Sequence, residues 1–326
     1  MKVFLTGASG LVGTHLVHQL VSKGFDIKAL KRQDSVVTQF EGANIEWVEG
    51  DLFNIHLLIE SMLDCDFVLH SAALVSFNPR EKDLMLKTNI EGTKNIVDAA
   101  LEANIKRLVY VSSVAALGKT DNGDAIDEDT KWTSNDERAN YDISKFNAEL
   151  EVWRGAEEGL EVNVVNPSVI LGDGDWDRSS SKLFKFIYNN SKLYTEGLLN
   201  FVDVRDVAEQ CVFLLDATVC NERFLLCADH IGFKEFYSKV ALAFGKPSPT
   251  ILISTTVLSV WQKIESLRAS IFKVSPLITK ETIRSLKRPS KYNNIKSVNL
   301  LDVRYRSVDD TIAWITQSYF KKYELV

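Results

Sequence analysis

Val3-Phe4-Leu5-Thr6 runs directly into Gly7-Ala8-Ser9-Gly10-Leu11-Val12-Gly13, and an apolar helical pattern follows at once over residues 11–22. A strand, a glycine turn and a helix in that order bring the chain back over one face of a sheet, where its next strand lies parallel to the first. The alternation continues: β-rich runs at 25–30, 45–48, 67–69, 108–111 and 162–165 are separated by amphipathic segments that include 55–62, 89–103 and 141–156. This order predicts an α/β fold, a doubly wound parallel sheet covered on both faces. Regularity ends after Pro167. Residues 172–197 are polar and irregular, 201–204 read as a further strand feeding a helix over 206–215, and beyond 224–227 the pattern is mostly helical. The expected organisation is a sheet domain over 1–167, rejoined by 201–228. A smaller, mostly helical C-terminal substrate lobe over 168–200 and 229–326 would sit above the carboxyl ends of the strands, where such sheets bind ligands.

A chain of 326 residues exceeds the usual single-core size, consistent with this division. Its 45 % hydrophobic and 25 % charged residues suit a soluble globular protein. The apolar-leaning stretch over 250–260 is interrupted by Ser and Thr and is too short to span a bilayer, and the N-terminus lacks the apolar run of a signal peptide. A cytoplasmic protein with no membrane partner is expected. Cys65, Cys211, Cys220 and Cys227 show neither CxxC spacing nor a partnering His cluster, so they read as small hydrophobes rather than disulfides or metal ligands. A net charge of -6 argues against nucleic acid as a partner. The locally basic run over 273–296 reads as a solvated face.

Glycines between a strand and a helix let the backbone approach a pyrophosphate, whose charge is met by free N–H groups at the helix start. The spacing here is GxxGxxG, not GxGxxG, and its position at the first turn makes a dinucleotide site of Gly7, Ser9, Gly10, Leu11, Val12 and Gly13. His15 in the same helix reads as a packed residue. The second strand ends in Lys31-Arg32, where an acidic residue would accept from an adenosine ribose and repel a 2′-phosphate. Two cations there attract that phosphate, so the expected cofactor is NADP, with NAD as the alternative. Arg32 is the stronger candidate because its planar guanidinium can hold two oxygens at once.

Further landmarks follow in order: Gly50-Asp51-Leu52, His70-Ser71-Ala72-Ala73, Asn89-Ile90-Glu91-Gly92-Thr93, Val111-Ser112-Ser113, Tyr141-Asp142-Ile143-Ser144-Lys145 and Asn166-Pro167-Ser168 through Gly172. With these the chain resembles the extended short-chain dehydrogenase/reductase family, which includes nucleotide-sugar epimerases and the dihydroflavonol-reductase-like and 3β-hydroxysteroid-dehydrogenase-like enzymes. The resemblance covers about the first 215 residues closely. It implies a Rossmann-type sheet, adenine contacts from Asp51 and Leu52, and a dinucleotide path lined by Ala72 and Ala73. It also implies cofactor contacts from Asn89, Ser112, Lys145, Pro167 and Ser168. A two-fold interface between the helices carrying Asn89 and Tyr141 is common in the family, so monomer and homodimer both stay open.

Tyr141 and Lys145 are four apart and share one face of a helix, but Tyr188 with Lys192 and Tyr292 with Lys296 have the same spacing. Position favours Tyr141, which opens the crossover helix 28 residues beyond Ser113. A phenol with an ordinary pKa of about 10 needs a nearby cation to exchange protons near neutrality. Lys145 would supply that charge while binding the nicotinamide ribose, and Ser113 would hold the substrate oxygen beside Tyr141. Strand-end capping is the plain alternative for Ser112 and Ser113. Asp142 departs from the small residue often found after the tyrosine.

In the 4,6-dehydratases of this family an acid follows the catalytic Ser or Thr; here Val114-Ala115 follows. Ala116-Leu117-Gly118 stands where many epimerases carry Val-Tyr-Gly, which is closer to the dihydroflavonol-reductase-like pattern. Two loose C-terminal matches, over 275–279 and 305–314, point to the same branch. The sequence therefore predicts an NADP-linked oxidoreductase acting on a small-molecule carbonyl. A nucleotide-sugar epimerase with NAD is the alternative, and a non-catalytic dinucleotide sensor a remoter one. Trp176, Phe184, Phe186, Tyr188, Trp261 and Phe272 are possible substrate walls, and Lys182, Lys185 and Arg205 possible phosphate groups. Helically spaced aromatics are more often core, so none is assigned.

Overall fold

The computed structural model describes residues 1–37, 40, 44–76, 78–120, 124–133, 138–177, 180–189, 192–272 and 290–323. Six parallel strands, β1 (Lys2–Thr6), β2 (Asp26–Lys31), β3 (Ile45–Glu49), β4 (Phe67–His70), β5 (Arg107–Val111) and β6 (Glu161–Pro167), are joined by a seventh from later in the chain, β10 (Glu222–Leu226). Their order is β10-β6-β5-β4-β1-β2-β3, so the winding reverses between β1 and β4. A crevice for a ligand opens at such a reversal, outside the carboxyl ends of the strands.

The strands are apolar at consecutive positions because both faces are covered. Val3 and Leu5 of β1 pack toward Leu16, Val17 and Leu20 of α1 (Leu11–Ser22) and Val207 and Cys211 of α6 (Val204–Phe213). Phe4, fully buried between them, packs on the opposite face with Leu58 and Met62 of α2 (Ile55–Met62), Ile96 and Val97 of α3 (Lys82–Glu102) and Ala148 and Val152 of α4 (Asn140–Glu157). Truncating Phe4 to Ala would cost about 3–5 kcal/mol.

The second region has its own apolar cluster. Phe184 and Ile187 of α5 (Ser181–Asn189) meet Phe236 and Val240 of α7 (Phe233–Ala243) and Ile315 and Tyr319 of the last helix, Val308–Tyr323. Two small sheets accompany the helices. One orders β11 (Asp229–Gly232), β9 (Leu198–Asp203) and β7 (Val169–Leu171); the other pairs β12 (Ile251–Ile253) with β8 (Leu193–Thr195). The helical pattern of the tail concealed β11 and β12, which are only four and three residues long. Helix α8 (Thr255–Phe272) precedes residues 273–289, and most of the basic run and all of the 275–279 match lie there, outside the described residues. Among the described residues no helix is long and apolar enough to cross a membrane.

Candidate active site

The glycine turn is built by three different constraints. Gly7 has φ +79°, in the left-handed region that favours glycine, and an added Cβ would lie 2.7 Å from both Ala72 N and Ser71 Oγ at the end of β4. At Gly13 a Cβ would meet the Gly7 carbonyl oxygen at 1.9 Å. The structure thus corrects the sequence argument for Gly13, whose need is close packing of α1 on the turn rather than room for a phosphate. Gly10 is different: it is exposed, and a Cβ there meets, among the described residues, the Gly7 oxygen at 3.3 Å alone. Helix α1 starts there without a side-chain cap or an acidic first turn, a favourable end for an anion. Ser9 is exposed at the tip, while Leu11 and Val12 are half-buried. The Leu11 side chain lies where Cβ atoms at Gly172 and Gly174 would come within 2.8 and 2.9 Å of its Cδ1, so its backbone is what it offers a ligand. These features fit a dinucleotide pyrophosphate.

The adenosine candidates gather at the ends of β2 and β3. Lys31 closes β2, its carbonyl accepting from Gly50 N–H at 2.9 Å, and the Arg32 side chain is 75 % exposed with Asp34 3.9 Å away. Asp51 is exposed and accepts from Phe53 N–H at 2.8 Å; Leu52 is buried, its carbonyl accepting from Asn95 at 2.8 Å. Ala72 N–H donates to Thr6 Oγ1 at 3.3 Å, and Ala73 is exposed. Asn89 and Ser112 are committed within the protein. Asn89 is buried, accepts from Leu74 N–H at 2.8 Å, and donates to Leu74 O and Ser144 Oγ at 3.0 Å each. Ser112 Oγ donates to Glu149 at 2.6 Å. These two side chains hold the walls of the site rather than point free groups at a ligand. Pro167 ends β6, and Ser168 N–H donates to Leu226 O at 2.9 Å.

Helix α4 begins at Asn140, so Tyr141 lies in its first turn, and Asp142 accepts from Ala139 N–H at 3.4 Å. That contact explains Asp142: an acid in the first turn caps the helix and suits its dipole. The Ser113 side chain stands within reach of the Tyr141 phenol and favours its ionised form. Burial pushes its phenol up to about 12, with the Ser113 contact opposing and the Asp142 charge adding. Ser113 Oγ also accepts from Ala115 N–H at 3.2 Å, so the capping role coexists with the site role. Lys145, one turn on and 3 % exposed, donates to Val111 O at 2.9 Å and Tyr110 Oη at 3.2 Å. Burial pulls its ammonium down to about 8, the Glu149 charge opposing. The expected cationic help to Tyr141 is therefore not a direct contact here; Lys145 reaches the ends of β5 instead, and the phenol stays a neutral donor.

The decoy pairs separate cleanly. Tyr188 packs on Trp176 and Phe244 in the second core. Tyr292 pairs with Ile126 in an isolated bridge while Lys296 begins a separate helix, α9 (Ile295–Leu301), so the two share no helix face. Tyr292 nevertheless packs, as Val114 does, against the small cluster of Leu117, Ile126, Leu225 and Cys227. Trp176 and Phe184 are core; Arg205 is spent on Asp203 at 2.6 Å and stacks on Trp314, and Lys185 pairs with Asp177. The Phe272 side chain lies outside the described residues. Sequence reasoning missed Glu149, 2 % exposed, whose carboxylate takes bonds from Ser112, Asn166, Trp153 and Arg223. The available signal was an acid four residues past Lys145, on the face that carries Tyr141.

Residues 3–227 match the family model described as the NAD dependent epimerase/dehydratase family. A Synechocystis sp. protein provisionally described as a dihydroflavonol 4-reductase is 28 % identical over 318 residues, covering 95 % of this chain and 92 % of its own. Cinnamoyl-CoA reductase 1 of Petunia hybrida is 30 % identical over 246 residues, covering 70 % and 73 %. Among solved structures, gox2253 superposes with a TM-score of 0.85 at 28 % identity over 99 % of this chain and 98 % of its own. The Bordetella bronchiseptica enzyme WbmH, solved with NAD+, gives 0.77 at 20 % identity over 99 % of each chain, a likeness of fold.

Proposed function

The chain belongs to the NAD-dependent epimerase/dehydratase family of extended short-chain dehydrogenases/reductases, and from that premise we propose that it is an NADP-linked reductase of a small-molecule carbonyl. The observation that carries this reading is the juxtaposition of Tyr141 and Ser113 at the carboxyl end of β5, with Lys145 one helical turn away. When bound, the dinucleotide would supply hydride to the carbonyl carbon. Tyr141 would deliver a proton to the carbonyl oxygen as negative charge develops there. A phenol held near 12 is fully protonated at neutral pH, which is the form a reduction needs. Ser113 would donate to the same oxygen and fix it beside Tyr141. Lys145 would turn its ammonium to the nicotinamide ribose. Val114 and Ala115 carry no acid or base beside this point, so proton removal from a neighbouring substrate carbon has no agent there.

The relatives named as dihydroflavonol and cinnamoyl-CoA reductases support reduction over epimerisation. Lys31 and Arg32 support the 2′-phosphate of NADP. Tyr141→Phe tests the assignment: turnover should fall at least about a hundredfold with little change in dinucleotide affinity. Unchanged turnover would reject it.

A further inference from the structure

Tyr141, Lys145 and Glu149 occupy successive turns along one face of α4. A carboxylate buried to 2 % exposure is costly unless its oxygens are satisfied, and Glu149 is satisfied from four directions. Ser112 Oγ of the β5 end donates at 2.6 Å, Asn166 Nδ2 of β6 at 2.8 Å, Trp153 Nε1 of its own helix at 3.2 Å, and Arg223 of β10 lies at 2.9 Å. Asn166 donates in addition to Ser113 O at 3.0 Å. One side chain thus ties together the strand ends beside Ser113 and Pro167 and the helix that carries Tyr141 and Lys145.

We propose that Glu149 is the positioning residue of this site, fixing Ser113 against Tyr141 through Ser112 and Asn166 and placing a negative charge one turn from the Lys145 ammonium. The inference rests on the Ser113-Tyr141-Lys145 reading above and deepens it. Among the described residues, the groups otherwise packed around Lys145 do not hold a charge on it. Tyr110 of β5 and His70 of β4 are buried, and burial keeps both neutral. Helix α3 presents Asn89 and Thr93, which do not titrate, and the 113–116 segment carries no ionisable side chain. Arg223 faces Glu149 from β10 and competes with Lys145 for its charge.

The test is the affinity of the full-length protein for NADPH, measured by its fluorescence across the pH range around 8, where burial places Lys145. In the unmodified protein the affinity should fall with a midpoint near that pH as the ammonium loses its proton. Glu149→Gln, isosteric and uncharged, should move the midpoint lower by about one pH unit. Arg223→Gln, which removes the competing cation, should move it higher and decides the matter if Glu149→Gln does not fold. A midpoint that vanishes in Lys145→Ala but is unmoved in both variants overturns the Glu149 assignment alone. A pH profile that survives Lys145→Ala overturns the Lys145 reading with it.

Discussion

Ser113 and Tyr141, on different elements and 28 residues apart in sequence, meet at the carboxyl end of β5. The contact exists because β5 and α4 are both fixed to the same sheet end: Ser113 O accepts from Asn166 of β6, and the start of α4 is held by Ser144, which donates to Tyr141 O and accepts from Asn89.

The glycine turn separates binding from packing. Gly10→Val should fold with at most a small loss of melting temperature and lose dinucleotide affinity, because its side chain would project from an exposed turn at the uncapped start of α1. Gly13→Val should instead destabilise the protein by several kcal/mol, since even a Cβ lies 1.9 Å from Gly7 O. Thermal melts beside calorimetric titration check both; equal melting losses in the two variants would contradict the distinction.

Arg32 should set the dinucleotide preference. NADP(H) is expected to bind more tightly than NAD(H) by on the order of 1–3 kcal/mol, the range for charge-assisted hydrogen bonds. Arg32→Ala should reduce the gap, as should high salt, because the side chain is exposed. Equal dissociation constants in the unmodified protein would remove Lys31 and Arg32 from the cofactor site.

Burying Lys145 should cost stability. Its folded value of about 8 lies below the ordinary 10.5, so below pH 8 the folded state carries a disfavoured charge worth about 3 kcal/mol. As pH rises from 8 toward 10.5 the unfolded chain binds more protons than the folded one, and stability rises until the penalty is gone. Lys145→Met should therefore raise the unfolding free energy at neutral pH by up to about 3 kcal/mol, the penalty that the lowered pKa represents, and the gain should vanish at high pH. Denaturant titrations at several pH values check the sign; a destabilised Lys145→Met protein at neutral pH would contradict it.

His70 should make the fold acid-sensitive. It is fully buried between Thr6 at 2.6 Å and Thr93 at 3.0 Å, and burial holds its imidazole down at about 3. Between that value and the ordinary 6.5 only the unfolded chain takes up the proton, so stability drops as the pH is lowered across this window, by up to about 5 kcal/mol. In His70→Asn that part of the slope should be missing. The difference between the two acid-unfolding curves measures it, and identical slopes would show that His70 is protonated in the folded protein.

Much of this was legible in the sequence for identifiable reasons. Strands buried on both faces read as continuous apolar runs, so β1, β4 and β5 lie within one or two residues of where their patterns placed them. Helix α1 matches its expected span because the glycine turn marks its start. Lys145 and Tyr141 stand out in the sequence because position along the chain distinguishes them from two pairs of equal spacing. Glu149 and Asn166 were not assigned roles, since their meaning comes from partners on three other elements, and an acid on a helix gives no sign that it is buried. Gly13 was assigned the wrong reason because a sequence does not say whether a missing side chain leaves room for a ligand or for the backbone of Gly7.

The central claim is that Tyr141 donates a proton during net reduction of a carbonyl, and nicotinamide absorbance during turnover tests it most directly. NADPH should be consumed mole for mole with the alcohol formed from a carbonyl substrate, and Tyr141→Phe should slow that consumption at least about a hundredfold while still binding NADPH. Interconversion of nucleotide sugars with no net change in nicotinamide absorbance, by protein that retains NAD through purification, would contradict it and identify an epimerase.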